Sequence, residues 1–357
     1  KFAWDIDMLG GYPHRFLQAP PDVHPAHFWK CRATENLTER LQKDGAKALW
    51  IQGWQVAGYW QAVIAAGKAG VPLWLRGESN DLAPKTGWKA PLKKAVLRWL
   101  FSRIETFLYI GQGNRRLYES YGARPDQLLP APYCVDNERF RKQAEALRPQ
   151  RSEIRRRWGI PDNAFVPLFC GKFIPKKRPM DLVQASQSLI DSKRASHLHL
   201  LFAGSGELGA DLREACQVTF DAETQEPRTG NRKPETENPI PATFAGFLNQ
   251  SQVSEAYVAA DCLVLPSDYG ETWGLVVNEA LASGLPCIIS DRCGSAHDLG
   301  QRTPNQVFPF ADTAALADRI QHLASEPTPT RVSPDVLSGY SFEVSLESIY
   351  RVWANAA

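Results

Sequence analysis

In the stretch CLVLPSDYGETWGLVVNEALASGLPCIIS, residues 262–290, the carboxylates Glu271 and Glu279 stand with seven residues between them. Two such groups could accept hydrogen bonds from hydroxyls on a polar ligand. Each also has a plainer reading: Glu271 suits the positive end of a helix, and Glu279 could be a solvated side chain at the rim of an apolar face. Upstream, FCGKFIPKKRPMDLVQA gathers Gly171, Lys172, Lys177 and Arg178. Its glycine permits close backbone approach and its cations could neutralise a phosphate, the alternative being a solvated basic loop. LFAGSGEL places Gly204 and Gly206 after another apolar run. That pattern is weak alone, since many α/β units turn on glycine.

These residues need elements to hold them. Cys262 to Leu265 reads as a buried strand and Pro266 to Gly270 as a turn-rich loop. From Gly274 the residues Leu275, Val276, Val277, Ala280 and Leu281 cover one face at a helical step, with Glu279 on its shoulder. Gly284 and Pro286 end that helix, and Cys287 to Ser290 reads as the next strand. Glu271 is therefore expected at the carboxyl end of a parallel strand, the edge where open α/β sheets bind phosphates. Three glycine or lysine loops on one such edge point to a nucleotide-diphosphate site.

Further strand-like runs occur at ALWIQG, VPLWLRG, TFLYIG and LLPAPY, with helix-like segments between them at Gln55 to Lys68 and Pro91 to Ile104. A polar, basic stretch through Arg157 follows, and a second series opens with VPLFCG and LHLLFAG. The domain boundary is expected near residues 140 to 155. Residues 221–241 read as an exposed insertion, and Phe342, Leu346, Ile349 and Trp353 have helical spacing near the end.

At 357 residues the chain has room for two cores, and its net charge of +2 gives no ground for general nucleic-acid binding. The seven cysteines show no metal-ligand spacing and read as reduced thiols of a cytoplasmic protein. No apolar run approaches the ~20 residues that span a bilayer. The chain begins with Lys1, so a native amino terminus is expected to be missing.

The order of the pieces GKFIPKKRP, LFAGSGEL, FAGF, AYVAADCLVLPS, Glu271 to Glu279 and GLPCIISDRCGS resembles the donor half of retaining glycosyltransferases of the EX7E family, the group 1 or family 4-like enzymes. LYIGQGNRRLYESYGARPDQLLPAPYCVDNERF resembles their segment leading to the interdomain linker, so the likeness runs from about Leu108 onward. It implies an α/β GT-B fold: two Rossmann-like domains facing a cleft, with a carboxyl-terminal helix crossing back to the first. The implied boundaries are 1–145, 146–338 and 339–357. It implies Glu271 beside the donor sugar's hydroxyls, Glu279 on the ribose hydroxyls, and backbone N–H groups of Gly274 and Leu275 on the diphosphate. Lys177 and Lys172 would stabilise the leaving group, with Lys172 standing where the family usually has arginine and lacking its bidentate fork. Gly171 and Gly204 would line the donor site, and Leu248 would contact the base. No metal or other cofactor is implied. The donor would be a UDP-, GDP- or ADP-sugar, and the acceptor a glycan, a lipid-linked or a small molecule.

The first half departs from that pattern. LGGYPHRF is not preceded by a convincing strand, so the first strand and its loop are expected to be lost. Arg76 and Glu78 in LWLRGESN, together with His14, are the acceptor-side candidates; a structural ion pair and a surface histidine are the plainer readings. Asp5 to Asp7 mimics a metal triplet but is weak. In residues 89–104, Leu92, Val96, Trp99, Leu100 and Ile104 form an apolar stripe beside Lys89, Lys93, Lys94, Arg98 and Arg103. This fits peripheral contact with the inner face of a membrane, or an ordinary helix packed on its sheet. The reading is a retaining hexosyltransferase; a GT-B sugar-nucleotide epimerase and a silent nucleotide-sugar-binding protein are the alternatives.

Overall fold

The computed structural model describes residues 11, 13, 27–83, 90–195, 197–223, 238–302, 304–326 and 330–356. The chain forms two compact units, one of Leu9–Tyr133 with Gly339–Ala357 and one containing Cys134–Ser338.

The first unit holds a parallel sheet in the order β1 (Leu49–Ile51), β2 (Leu73–Leu75), β3 (Thr106–Tyr109), β4 (Leu128–Pro130). Its helices are α1 (Leu37–Lys43), α2 (Ala57–Ala69), α3 (Ala90–Phe101) and α4 (Gln112–Ser120). The alanine-rich α2 stops at Gly70, whose φ of 69° supplies the left-handed turn that closes a helix at little cost. The core gathers Leu75, Leu100, Phe107 and Tyr118. The C-terminal helix, Phe342–Ala356, packs on β4, and its Ser345 Oγ donates to Pro132 O at 3.3 Å. Ser348 and Val352 form its buried side, whereas Phe342, Leu346 and Trp353 are exposed. The apolar spacing seen in the sequence therefore marks mainly the outer face.

The second unit begins with α5 (Asn137–Leu147) and α6 (Arg151–Arg157). Its strands and helices follow as β5 (Pro167–Cys170), α7 (Pro179–Asp191), β6 (Leu200–Ala203), α8 (Gly209–Glu214), β7 (Gln217–Asp221), β8 (Pro241–Gly246), α9 (Val253–Ala259), β9 (Cys262–Leu265), α10 (Leu275–Ala282), β10 (Cys287–Ser290), β11 (Gln306–Phe308) and α11 (Thr313–Ala324). All seven strands are parallel, in the order β11-β10-β9-β5-β6-β8-β7. The central β5 and β9 are thus flanked by strands on both sides, with all of β9 and all of β5 but Cys170 buried, and their carboxyl ends lie side by side.

The polar stretch before β5, expected to hold the boundary, is helical and belongs to this unit. Its helices rest on charge rather than on apolar period. Asp136 caps α5, and Arg141 pairs with Glu138 and Glu145 one turn to either side. In α6, Arg155 is 1% exposed and joins Arg151 on Asp261, at 2.8 and 2.6 Å, clamping the helix to the amino end of β9. Among the described residues no helix is long and apolar enough to cross a membrane.

Candidate active site

Three loops meet at the carboxyl edge of the second sheet, after β5, β6 and β9. The first two are fused through glycine. A Cβ on Gly204 would stand 2.0 Å from Gly171 O, and one on Gly206 would stand 2.5 Å from Phe173 O. With φ of 139° and 157°, both positions are reserved for glycine by backbone conformation as well as by space. Gly171 N donates to Ala203 O and Phe173 N to Ser205 O, each at 2.9 Å, so the β6 turn braces the lysine loop from behind. Gly204 N is itself spent on Gly246 O at 2.7 Å. Gly204 therefore shapes the loop through close packing, while a Cβ on Gly171 would meet nothing within 4 Å.

The lysine loop is zipped to the β9 loop. Asp268 N donates to Lys176 O at 2.9 Å, and Lys176 Nζ reaches Gly270 O at 3.4 Å. Lys177 Nζ then pairs with Glu271 Oε2, both side chains being about one-seventh exposed. The sequence alone did not join these two residues. Lys172 lies exposed on the same loop. Arg178 turns away, its left-handed backbone aiming the guanidinium at the buried carboxylate of Asp181 at 2.6 and 2.8 Å. From the other side, Gly294 N donates to Glu271 O at 3.0 Å, and Trp273 Nε1 donates to the buried Asn278 Oδ1 at 2.8 Å. The β9 loop is thus fixed before α10 begins.

Gly274 starts α10 with φ 92°, and no side chain caps it. The first turn of a helix leaves N–H groups without intrahelical acceptors, so the amino end of α10, with exposed Leu275, offers donors and positive potential beside Lys177 and Glu271. One turn further, Tyr257 of α9 donates to Glu279 Oε2 at 2.6 Å. Burial pushes the Glu279 carboxyl above the usual range, while the Tyr257 hydroxyl and the Arg139 charge pull it back. Arg139 of α5 also holds the loop after β8, donating to Gln250 O at 3.1 Å and to Gln250 Oε1 at 2.7 Å, and partly buried Leu248 belongs to that loop. Cys170, at the end of β5, has its thiol pushed up to about 12 by burial and by the Glu279 charge.

Tyr257, Arg139 and Asp268 escaped the sequence reading. A tyrosine among the apolar residues of α9 looks like core, and only its hydroxyl, which needs a partner once buried, hinted otherwise. In the first unit, Arg76 and Glu78 are joined through Tyr133 rather than to one another. The Arg76 guanidinium lies 4.7 Å from the Tyr133 ring centre, and Tyr133 Oη donates to Glu78 Oε1. Burial first, then the Glu78 carboxylate, pushes the Tyr133 hydroxyl up. His14, Lys89, Asp5 to Asp7, and residues 224–237 of the expected insertion lie outside the described residues, as does nearly all of LGGYPHRF. Among the described residues there is no cluster of three or more His, Cys, Asp or Glu suited to a metal ion.

Residues 150–334 match the family described as glycosyl transferases group 1, and residues 6–134 match the glycosyl transferase 4-like domain. A D-inositol 3-phosphate glycosyltransferase of Thermomonospora curvata is 32% identical over 215 residues, covering 60% of this chain and 47% of that protein. The chain thus spans about half the length of the curated relatives it matches. Among solved structures, sucrose-phosphate synthase from Thermosynechococcus elongatus has a TM-score of 0.64 at 19% identity, over 96% of this chain and 83% of that one. Anabaena Alr3699/HepE in complex with UDP-glucose has a TM-score of 0.58 at 15% identity, over 89% and 82%. These likenesses show the fold, the α/β GT-B fold with two parallel Rossmann-like sheets.

Proposed function

The chain belongs to the glycosyl transferases group 1 family, and from that premise we propose that it moves a sugar from a nucleotide-diphosphate donor to an acceptor hydroxyl with retention of configuration. The observation that carries the reading is the meeting of Lys177, Glu271 and the uncapped start of α10 at one sheet edge, with Glu279 one turn beyond. A departing diphosphate needs fixed positive charge and N–H donors where its negative charge develops. Lys177, Lys172 and the first turn of α10 provide both without reorganisation. Glu271, oriented by Lys177, addresses the sugar's hydroxyls, and Glu279, oriented by Tyr257, the ribose hydroxyls. The bond from the anomeric carbon to the phosphate oxygen breaks as the bond to the acceptor oxygen forms on the same face. The acceptor's proton passes to the leaving phosphate, so no protein base is assigned.

UDP-glucose is the first donor to try, being the ligand in the Anabaena structure, with GDP- and ADP-sugars beside it. Acceptors to try are glycans, lipid-linked sugars and small molecules, an inositol phosphate included because of the relative's name. Arg76, Glu78 and Tyr133 are the acceptor-side candidates, with His14. A cytoplasmic setting belongs to the same proposal, since none of the seven cysteines is joined in a disulfide. Thermal stabilisation by a panel of nucleotide sugars, followed by product analysis, tests the proposal. Stabilisation by one donor class, lost in Lys177→Ala and Glu279→Ala, supports it. Equal indifference of the wild type to every donor removes it.

A further inference from the structure

The first unit carries a surface that the transfer chemistry does not use. On α3, Leu92 is 68% exposed, Trp99 47% and Val96 40%, and on neighbouring α2 Ile64 is 51% exposed. Of the stripe expected from sequence, Leu100 and Ile104 instead point into the sheet, together with Leu97. The outward face is therefore narrower than the sequence suggested, and it continues onto a second helix. Trp99 is held there rather than loose: its ring stacks on Trp60 at 6.3 Å with 4° between planes, and the Arg103 guanidinium covers it at 5.1 Å. An open groove of about 380 Å³ between the two helices is lined by Ile64, Gly67, Lys68, Trp99 and Arg103 among others.

Charge identifies the occupant. Lys68, Lys93, Lys94, Arg98 and Arg103 are all exposed, and neither α2 nor α3 contains an Asp or Glu. No ion pair engages these five among the described residues, and the nearest acidic residue in sequence, Glu105, lines a different pocket with Arg124 and Arg351. Apolar side chains that gain by leaving water, ringed by uncompensated cations, fit an apolar phase with an anionic boundary. We infer that the α2–α3 face docks on an anionic phospholipid surface. Leu92, Val96 and Trp99 enter the headgroup boundary, and the groove between Lys68 and Arg103 receives a lipid phosphate. An acidic protein would answer the charge, but a flat anionic partner without an apolar layer leaves the four exposed hydrophobic residues unexplained. The inference stands independently of the sugar-transfer reading, because binding to vesicles needs no turnover.

Sedimentation with vesicles tests it, using the full chain at low salt. Equimolar phosphatidylglycerol and phosphatidylcholine vesicles should bind more than about tenfold more protein than pure phosphatidylcholine, and the difference should shrink as salt screens the charges. Lys94→Glu with Arg98→Glu, and separately Leu92→Ser with Trp99→Ser, should each abolish most of the binding while leaving circular dichroism unchanged. All four residues are exposed, and if a pair unfolds, Lys93→Glu with Lys94→Glu serves instead. Equal binding to both vesicle types overturns the inference. Full binding by the Leu92/Trp99 variant overturns it too, because the face would then be only a basic surface. Displacement by inorganic phosphate at matched ionic strength would show a free-anion site and equally remove the lipid.

Discussion

The Tyr257 hydroxyl lies 2.6 Å from Glu279 Oε2, so the carboxylate assigned to the ribose is held by a side chain of the preceding helix before any ligand arrives. Tyr257 is itself fully buried. Tyr257→Phe removes only the donor. A hydrogen bond to a charged group contributes about 1.5–3 kcal/mol, so the KM for the donor should rise about tenfold or more with kcat little changed. An unaltered KM would detach Tyr257 from donor binding.

Glu279→Gln separates binding from stability. Burial raises the folded carboxyl above its unfolded value, so its favourable contribution is present at low pH and lost as pH rises through the folded value. At neutral pH the buried charge therefore costs stability. The glutamine still accepts from Tyr257 and carries no charge, so the ligand-free variant should resist urea as well as or better than wild type at neutral pH. The two should converge below about pH 4. Donor affinity should fall meanwhile. A variant less stable at neutral pH would contradict this account.

How much of this was legible in the sequence depends on what holds each element. The runs CLVL and CIIS read as strands because β9 and β10 are buried on both faces, and Gly274 read as a helix start because apolar period began there. The helices α5 and α6 did not read as helices, since Glu138, Arg141, Glu145 and Asp261 hold them and apolar spacing is thin. Gly204 read as a turn at the ligand edge, but its close packing on Gly171 was not legible. The Lys177–Glu271 pair could not be read at all: its members are ninety-four residues apart, and only the β5–β9 adjacency brings them together.

Gly204→Ala should be among the most damaging small substitutions in the chain. The new methyl would meet Gly171 O at 2.0 Å on a backbone with φ 139°, and mainchain cannot yield as a side chain can. A loss of about 2–4 kcal/mol is expected by urea denaturation, comparable to overpacking with added backbone strain. Gly171→Ala has open space and should lose less, through its φ of 149° alone. Equal losses would mean that conformation, not packing, governs Gly204.

His199 gives the second unit a dependence on acid. Burial first, then the Arg155 charge, pushes its pKa down from 6.5 to about 4. Neutral imidazole is therefore the folded form, and stability is complete above the unfolded value and lost as pH falls from about 6.5 to 4. The loss is about 3 kcal/mol. His199→Gln should flatten the slope of urea midpoint against pH in that window. An unchanged slope would assign it to other groups.

The most direct test of the central claim is the anomeric configuration of the product, read by NMR after incubation with a donor that stabilises the protein and an acceptor panel. The expected product carries the donor's own anomeric configuration. Nucleoside diphosphate should be released in step with it, and turnover should fall about 10²–10³-fold in both Glu271→Gln and Lys177→Ala, the cost of losing one contact to developing charge. An inverted product, or full turnover in either variant, would contradict it.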